Sequence, residues 1–257
     1  MTAMHKTVVI QSHCSPLPYP WLESCLSSVR DWCEICGYEY QFMGDELFDA
    51  VPAHLLKKTE EQRVIATDLA RLSVLQAALE RGYETAIWLD ADFLIFKPAE
   101  FKLPDQGYAV GREVWVQHDK SRKLKVYKKV HNAFLMFRKE NSFLDFYRET
   151  AERLLVQNSG PMPPQFIGPK LLTALHNVAV LPVMESAGML SPLVIKDVLK
   201  GGGDALSRFV VNSDQPITAA NLCSSCCRSG EVSSQEMEHL IERLLKEPGF
   251  ILNARGL

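Results

Sequence analysis

Thr85-Ala86-Ile87-Trp88-Leu89-Asp90-Ala91-Asp92-Phe93-Leu94-Ile95-Phe96 is the stretch on which the fold is decided. Residues 85–89 carry no charge, which is the mark of a strand buried on both faces of a parallel sheet. Two acids follow at once, where an open α/β sheet places its ligands, outside the carboxyl ends of the strands. In extended backbone, residues two apart point to one side, which would bring the carboxylates of Asp90 and Asp92 together. Paired like charges repel unless a cation neutralises them, and hard oxygen ligands suit magnesium or manganese. Asp is also an ordinary turn residue. Here, however, the apolar run 93–96 follows directly, and an unpaired charge between two hydrophobic runs would be costly.

Outward from this stretch, helix-like and strand-like patterns alternate. Residues 7–11 read as a first buried strand, 21–36 as an amphipathic helix and 38–43 as a second strand. The longest helical pattern covers 59–81, with Val64, Leu69, Leu72, Leu75 and Leu79 on one face and Gly82 as its stop. Further on, 108–116 and 133–137 read as strands flanking a basic loop, 142–157 and 166–176 as helices, and 178–181 as a strand. A capped helix at 233–246 has Ser233 and Glu236 in capping-box spacing. The expectation is an α/β fold, a doubly wound, mostly parallel sheet with helices on both faces. At 257 residues the chain is expected to form a single domain over 1–257.

A net charge of −3 gives no general attraction to phosphate polymers, so no nucleic-acid partner is expected. The apolar stretch 7–10 is too short for a signal-peptide core, and no segment approaches the roughly 18 apolar residues of a membrane span. A soluble, cytoplasmic protein is the expectation. Seven cysteines without export signals favour reduced thiols. Cys33, Cys36, Cys223, Cys226 and Cys227 could supply a zinc site, but Leu22, Cys25, Leu26, Val29, Cys33 and Cys36 recur at helical spacing, which favours packing. The run Lys120-Ser121-Arg122-Lys123-Leu124-Lys125-Val126-Tyr127-Lys128-Lys129 reads first as a solvated loop. Its functional alternatives are closure over a diphosphate and peripheral contact with an anionic acceptor or membrane surface.

Thr67-Asp68-Leu69-Ala70-Arg71 and Trp88-Leu89-Asp90-Ala91-Asp92-Phe93-Leu94-Ile95-Phe96-Lys97-Pro98 together resemble GT-A-type glycosyltransferases with a D-x-D sugar-binding region. The likeness is to capsular polysaccharide and initiating mannosyltransferases, with a galactosyltransferase-like strand before the acids. It implies a GT-A fold and a metal-dependent hexosyltransferase. Such an enzyme moves a sugar from a UDP- or GDP-linked donor to the hydroxyl of a glycan or other acceptor, with retention of anomeric configuration. By this resemblance Asp68, Arg71, Leu89, Asp90, Ala91, Asp92, Gly168 and Pro169 contact the donor, and Asp90 and Asp92 hold Mn2+ or Mg2+. Asn132-Ala133-Phe134 resembles the Asn-bearing strand of the sugar pocket, and Gly168-Pro169-Lys170-Leu171-Leu172 the Gly-Pro helix start. Asp90, Asp92 and Asn132 are thus the expected catalytic residues.

Gln11, Ser12 and His13 are expected at the base-binding edge by their place after the first strand. Asp105 and Glu113 are further candidates for the sugar pocket, and His239 or the segment 221–224 for a late contact at the metal. A nucleotidyltransferase is the nearest alternative, although prolines stand where its Gly-rich triphosphate loop would be. A non-catalytic nucleotide-sugar-binding domain is the other.

Overall fold

The computed structural model describes residues 6–249. In chain order the elements are β1 (Thr7–Ser12), α1 (Trp21–Cys36), β2 (Glu39–Met43), α2 (Ala53–Lys58), α3 (Arg63–Glu80), β3 (Thr85–Leu89), β4 (Phe93–Ile95), β5 (Tyr108–His118) and β6 (Leu124–Arg138). They continue with α4 (Ser142–Gln157), α5 (Pro169–Ala179), β7 (Val183–Met184), β8 (Ala187–Met189), α6 (Pro192–Lys200), α7 (Asp204–Asn212), β9 (Ala219–Asn221), α8 (Ser225–Arg228) and α9 (Ser234–Lys246).

Six strands form one sheet in the order β2-β1-β3-β6-β5-β7. β6 runs against both neighbours and the other five share a direction. Alternation along the strands covers both faces. Val8, Ile10, Ala86 and Trp88 pack toward Leu69, Leu72 and Leu75 of α3 and Tyr147 of α4. Val9, Ile87 and Leu89 point the other way, onto Val29, Trp32 and Cys33 of α1. The sheet is therefore α/β and mostly parallel, with helices on both faces. β4, β9 and β8 form a second, three-stranded sheet beside it.

Several expectations need correction. Helix α3 starts at Arg63 rather than 59, because Thr59 ends α2 by donating its hydroxyl to Leu55 O (2.9 Å) and a 3-10 turn follows at Glu60–Gln62. Val64 is exposed, and Ile65 takes the core position expected for it. No strand forms at 178–181: α5 runs through Ala179, Val178 and Val180 face solvent, and the pairing with β5 is made by Val183–Met184. Only residues 120–123 of the basic run form a loop. Asp119 Oδ1 accepts from Ser121 N (2.8 Å) and Lys123 N (3.0 Å), closing a turn, and β6 begins at Leu124. Lysines at alternate places hid the half-buried Leu124 and Val126.

The capped helix is present, with Ser233 Oγ and the Glu236 carboxylate bonding each other's backbone amides. All seven cysteines are free thiols; burial holds the Cys33 thiol up at about 12, which leaves it a packing residue. Among the described residues no helix is long and apolar enough to cross a membrane.

Candidate active site

All five residues of β3 are buried, so the strand delivers whatever follows it to one fixed point at the edge of the core. Asp90 N donates to Ala133 O (3.0 Å), prolonging the pairing with β6 by one residue. Phe93 N then donates to Asp90 O (2.9 Å), and the chain turns into β4 of the second sheet. Asp90, Ala91 and Asp92 therefore lie in a tight turn, not in extended backbone. Strand alternation therefore does not set how the two carboxylates point, because the chain turns between Asp90 and Phe93 as it leaves one sheet for the other. The acids still feel each other: burial, and then the charge of Asp90, push the Asp92 carboxyl above its usual range.

Each acid is held from a different part of the chain. Asp90 Oδ1 accepts from Trp88 Nε1 (2.7 Å) and pairs with Arg71 Nη1 (3.1 Å). The same Arg71 nitrogen donates to Asn132 O (2.8 Å), while Nη2 lies 3.4 Å from Asp68 Oδ1. Asp68 Oδ1 also accepts from Asn132 Nδ2 (2.7 Å). Arg71 is 5% exposed, which decides against a helix-surface ion pair; its guanidinium carbon lies 5.1 Å from the Trp88 ring centroid. Asp92 Oδ1 accepts from Asn221 Nδ2 (2.6 Å), and its Oδ2 from Ser224 N (2.7 Å). Asn221 and Ser224 of the segment 221–224 thus hold Asp92, whereas His239 is exposed on α9.

Asn132 reaches this cluster because β6 is irregular. The register with β5 jumps between Val110 and Gly111, and residues 132–134 bulge beside the end of β3. His131 pins the bulge. Ala133 N donates to its Nδ1 (3.1 Å), so Nε2 carries the proton and donates to Ala187 O (3.1 Å) of the second sheet. Burial depresses this imidazole to about 4, so it stays neutral near pH 7.

Of the first-loop residues, Gln11 is wholly buried: its Nε2 donates to Asp90 O (3.0 Å), and its Oε1 accepts from Tyr40 Oη (3.2 Å). It braces the turn from behind. Ser12 and His13 are half-buried at the end of β1, where His13 N reaches Met43 O (3.2 Å). Leu89 is a core residue and Ala91 is buried. Glu113 is half-buried on β5, and burial raises its carboxyl. Asp105 is exposed at the opposite end of the sheet, near the Gly107–Arg138 pairing, and does not join the group. A cavity of about 290 Å³ between β2 and α3, lined by Ile10, Gln41, Phe42, Met43, Val74, Ala77 and Arg81, includes none of these acids.

Gly168 closes the cluster from the start of α5. A Cβ there would overlap Asp68 Oδ2 and come within 2.8 Å of Asn132 Nδ2, and Asp68 Oδ2 is buried without a hydrogen-bond partner among the described residues. Gly168→Ala should cost about 1–3 kcal/mol by overpacking, read as a lower urea midpoint at unchanged slope. Pro169 takes the first helical position, where no N–H is needed.

Burial raises the Asp68 carboxyl to about 6 against the opposing pull of Arg71 and Asn132. The folded state therefore holds this proton more tightly than the unfolded chain. Its contribution is full below pH 4 and is lost as pH rises through about 6, on the order of 2–3 kcal/mol at most. Urea midpoints from pH 4 to 7 should fall in the native chain relative to Asp68→Asn; parallel curves would contradict the shift.

No protein-family model matches the chain, and no curated protein does. Among solved structures, the chain is similar to a glycosyltransferase involved in glycosylation of the major capsid of PBCV-1, at TM-score 0.46 and 14% identity over 91% of this chain and 98% of that one. It is also similar to the galactosyltransferase LgtC in complex with donor and acceptor sugar analogs, at TM-score 0.44 and 12% identity over 95% and 99%. A third is 4-diphosphocytidyl-2C-methyl-D-erythritol synthase from Anaerococcus prevotii, at TM-score 0.31 and 11% identity over 70% and 88%.

Proposed function

We propose that the chain is a GT-A-type glycosyltransferase that moves a sugar from a UDP- or GDP-linked donor to an acceptor hydroxyl, with Asp90 and Asp92 binding Mn2+ or Mg2+. The observation that carries this reading is the support around the two acids. Both sit at the carboxyl end of the central strand and are fixed by donors from α3, β3, β9 and the loop after it. A turn made only to end a strand needs no such bracing.

The residues fit a hard divalent cation. The Asp92 carboxyl is pushed up by burial and by its like-charged neighbour, a penalty that a shared cation reverses. Among the described residues no third His, Cys, Asp or Glu gathers with them into a metal-holding group, so diphosphate and water oxygens would complete the shell, as magnesium commonly allows. When bound, the cation supplies Lewis-acid stabilisation to the diphosphate as the anomeric C–O bond breaks.

Arg71 orients Asp90, and Asn221 with the Ser224 amide orients Asp92. Gln11 fixes the turn. Asn132, whose amide is engaged by Asp68, is a positioning residue for Arg71 and Asp90. Ser12 and His13 are left to meet the base. Retention of configuration is the outcome implied by the sequence resemblance.

The test is a thermal-shift panel of UDP- and GDP-sugars with and without manganese. One donor should raise the midpoint only with the metal, by about 2.7 kcal/mol of stabilisation at 100 times its Kd. A shift with nucleoside triphosphates alone would instead favour nucleotidyl transfer, and no shift with any nucleotide would remove the reading.

A further inference from the structure

Beyond the end of β3, β5 and β6 continue as a two-stranded ribbon with unlike faces. Val114, Val116 and Val126 pack with Phe209 and Val210 of α7, and Lys128 of that face pairs with Asp214 (2.5 Å). The other face carries three directly opposed pairs, Glu113 with Lys129, Trp115 with Tyr127 and Gln117 with Lys125. Lys125 and Lys129 flank the Tyr127 ring, with their Nζ atoms 5.1 and 5.4 Å from its centroid, and Lys129 also faces the Glu113 carboxylate across the pair. Trp115 Nε1 donates to Gln117 Oε1 (3.0 Å), holding the indole in place.

Position and charge both mark this face. Glu113, at its inner end, lies two residues beyond Gly111, which pairs with His131 next to Asn132 of the Asp68–Arg71–Asp90 cluster. Residues 120–129 contain six cations and no acid in a chain of net charge −3. Aromatic rings offer flat apolar surfaces, and lysines beside them attract anions in a salt-sensitive way.

We propose that this face is the acceptor platform and takes an anionic glycan, with a sugar ring against Trp115 and Tyr127 and its phosphate or carboxylate groups at Lys125 and Lys129. The word acceptor rests on the glycosyltransferase reading; the glycan site itself does not. Trp21, Trp32 and Trp88 are buried and Trp115 only half-buried, so acrylamide quenching of intrinsic fluorescence reports mainly on Trp115.

The full chain is titrated with a phosphorylated oligosaccharide, a uronic-acid oligosaccharide, a neutral one of equal length, inorganic phosphate and phosphatidylserine vesicles. A charged oligosaccharide should shield Trp115 at concentrations at least tenfold below the neutral one, and Lys125→Ala/Lys129→Ala should abolish that preference. Equal shielding by neutral and charged sugars, or shielding by phosphate alone as strong as by the charged sugar, would overturn the proposal. So would lysine-dependent vesicle binding without oligosaccharide binding. Manganese-dependent nucleotide shifts are read in parallel. Their loss in the double variant would place the lysines on the donor diphosphate and also overturn the proposal. Absent shifts with retained shielding would support the glycan site and remove only its role in transfer.

Discussion

Replacing Arg71 with methionine should destabilise the fold by about 3–5 kcal/mol, the range seen when one partner of a buried ion pair is removed. Arg71 is the only cation touching Asp68 and Asp90 among the described residues, and it also caps Asn132 O. Methionine matches much of its volume but satisfies none of these groups. Two carboxylates and a carbonyl would be left at a site where burial already raises Asp68. For a chain of this size the loss corresponds to roughly 6–20 °C in midpoint. Because the buried Asp68 charge costs more once Arg71 no longer offsets it, Asp68→Asn should recover part of the loss in the double variant. A cycle measured by urea denaturation should give a coupling above about 0.5 kcal/mol. Additive single effects would mean that the two residues do not form one network.

Asp92→Asn should separate stability from activity. The amide keeps the volume and one of the two hydrogen bonds. Its NH2 must face either Asn221 Nδ2 or Ser224 N, since Asn221 Oδ1 is held by Cys223 N (2.8 Å) and fixes that side chain's orientation. That lost bond costs about 1 kcal/mol, and relief of a buried charge offsets it, so the midpoint should stay close to native. Manganese-dependent transfer from the cognate donor should fall about 100-fold or more, since outer-shell changes alone cost 10–100-fold at metal sites. Turnover that keeps its manganese dependence in a folded Asp92→Asn variant would contradict the role assigned to Asp92.

Much of this site was legible because burial leaves a clear mark in sequence. Five uncharged residues before Asp90 located the central strand, and the helix 21–36 agreed with the structure to the residue because its apolar and thiol positions keep one period. Asp68 and Arg71 were named from resemblance, but sequence could not place them facing inward, since an i,i+3 pair reads alike on either side of a helix. The bulge at 132–134 left no periodic trace. It depends on Gly111 leaving room for the His131 ring across the pair, a tertiary relation between residues twenty apart. Similarly, β4, β8 and β9 have three residues each, too few to show alternation, so the partners of Asp92 came from a stretch named only as a late alternative. The ribbon was hidden by its lysines.

The most direct measurement is anomalous diffraction from a crystal soaked with manganese and UDP or GDP. The account predicts a manganese peak shared by the carboxylates of Asp90 and Asp92 and the nucleotide's diphosphate, with Arg71, Asn221 and Ser224 still on their present partners. A diphosphate bound elsewhere, or a peak that neither carboxylate touches, would contradict it.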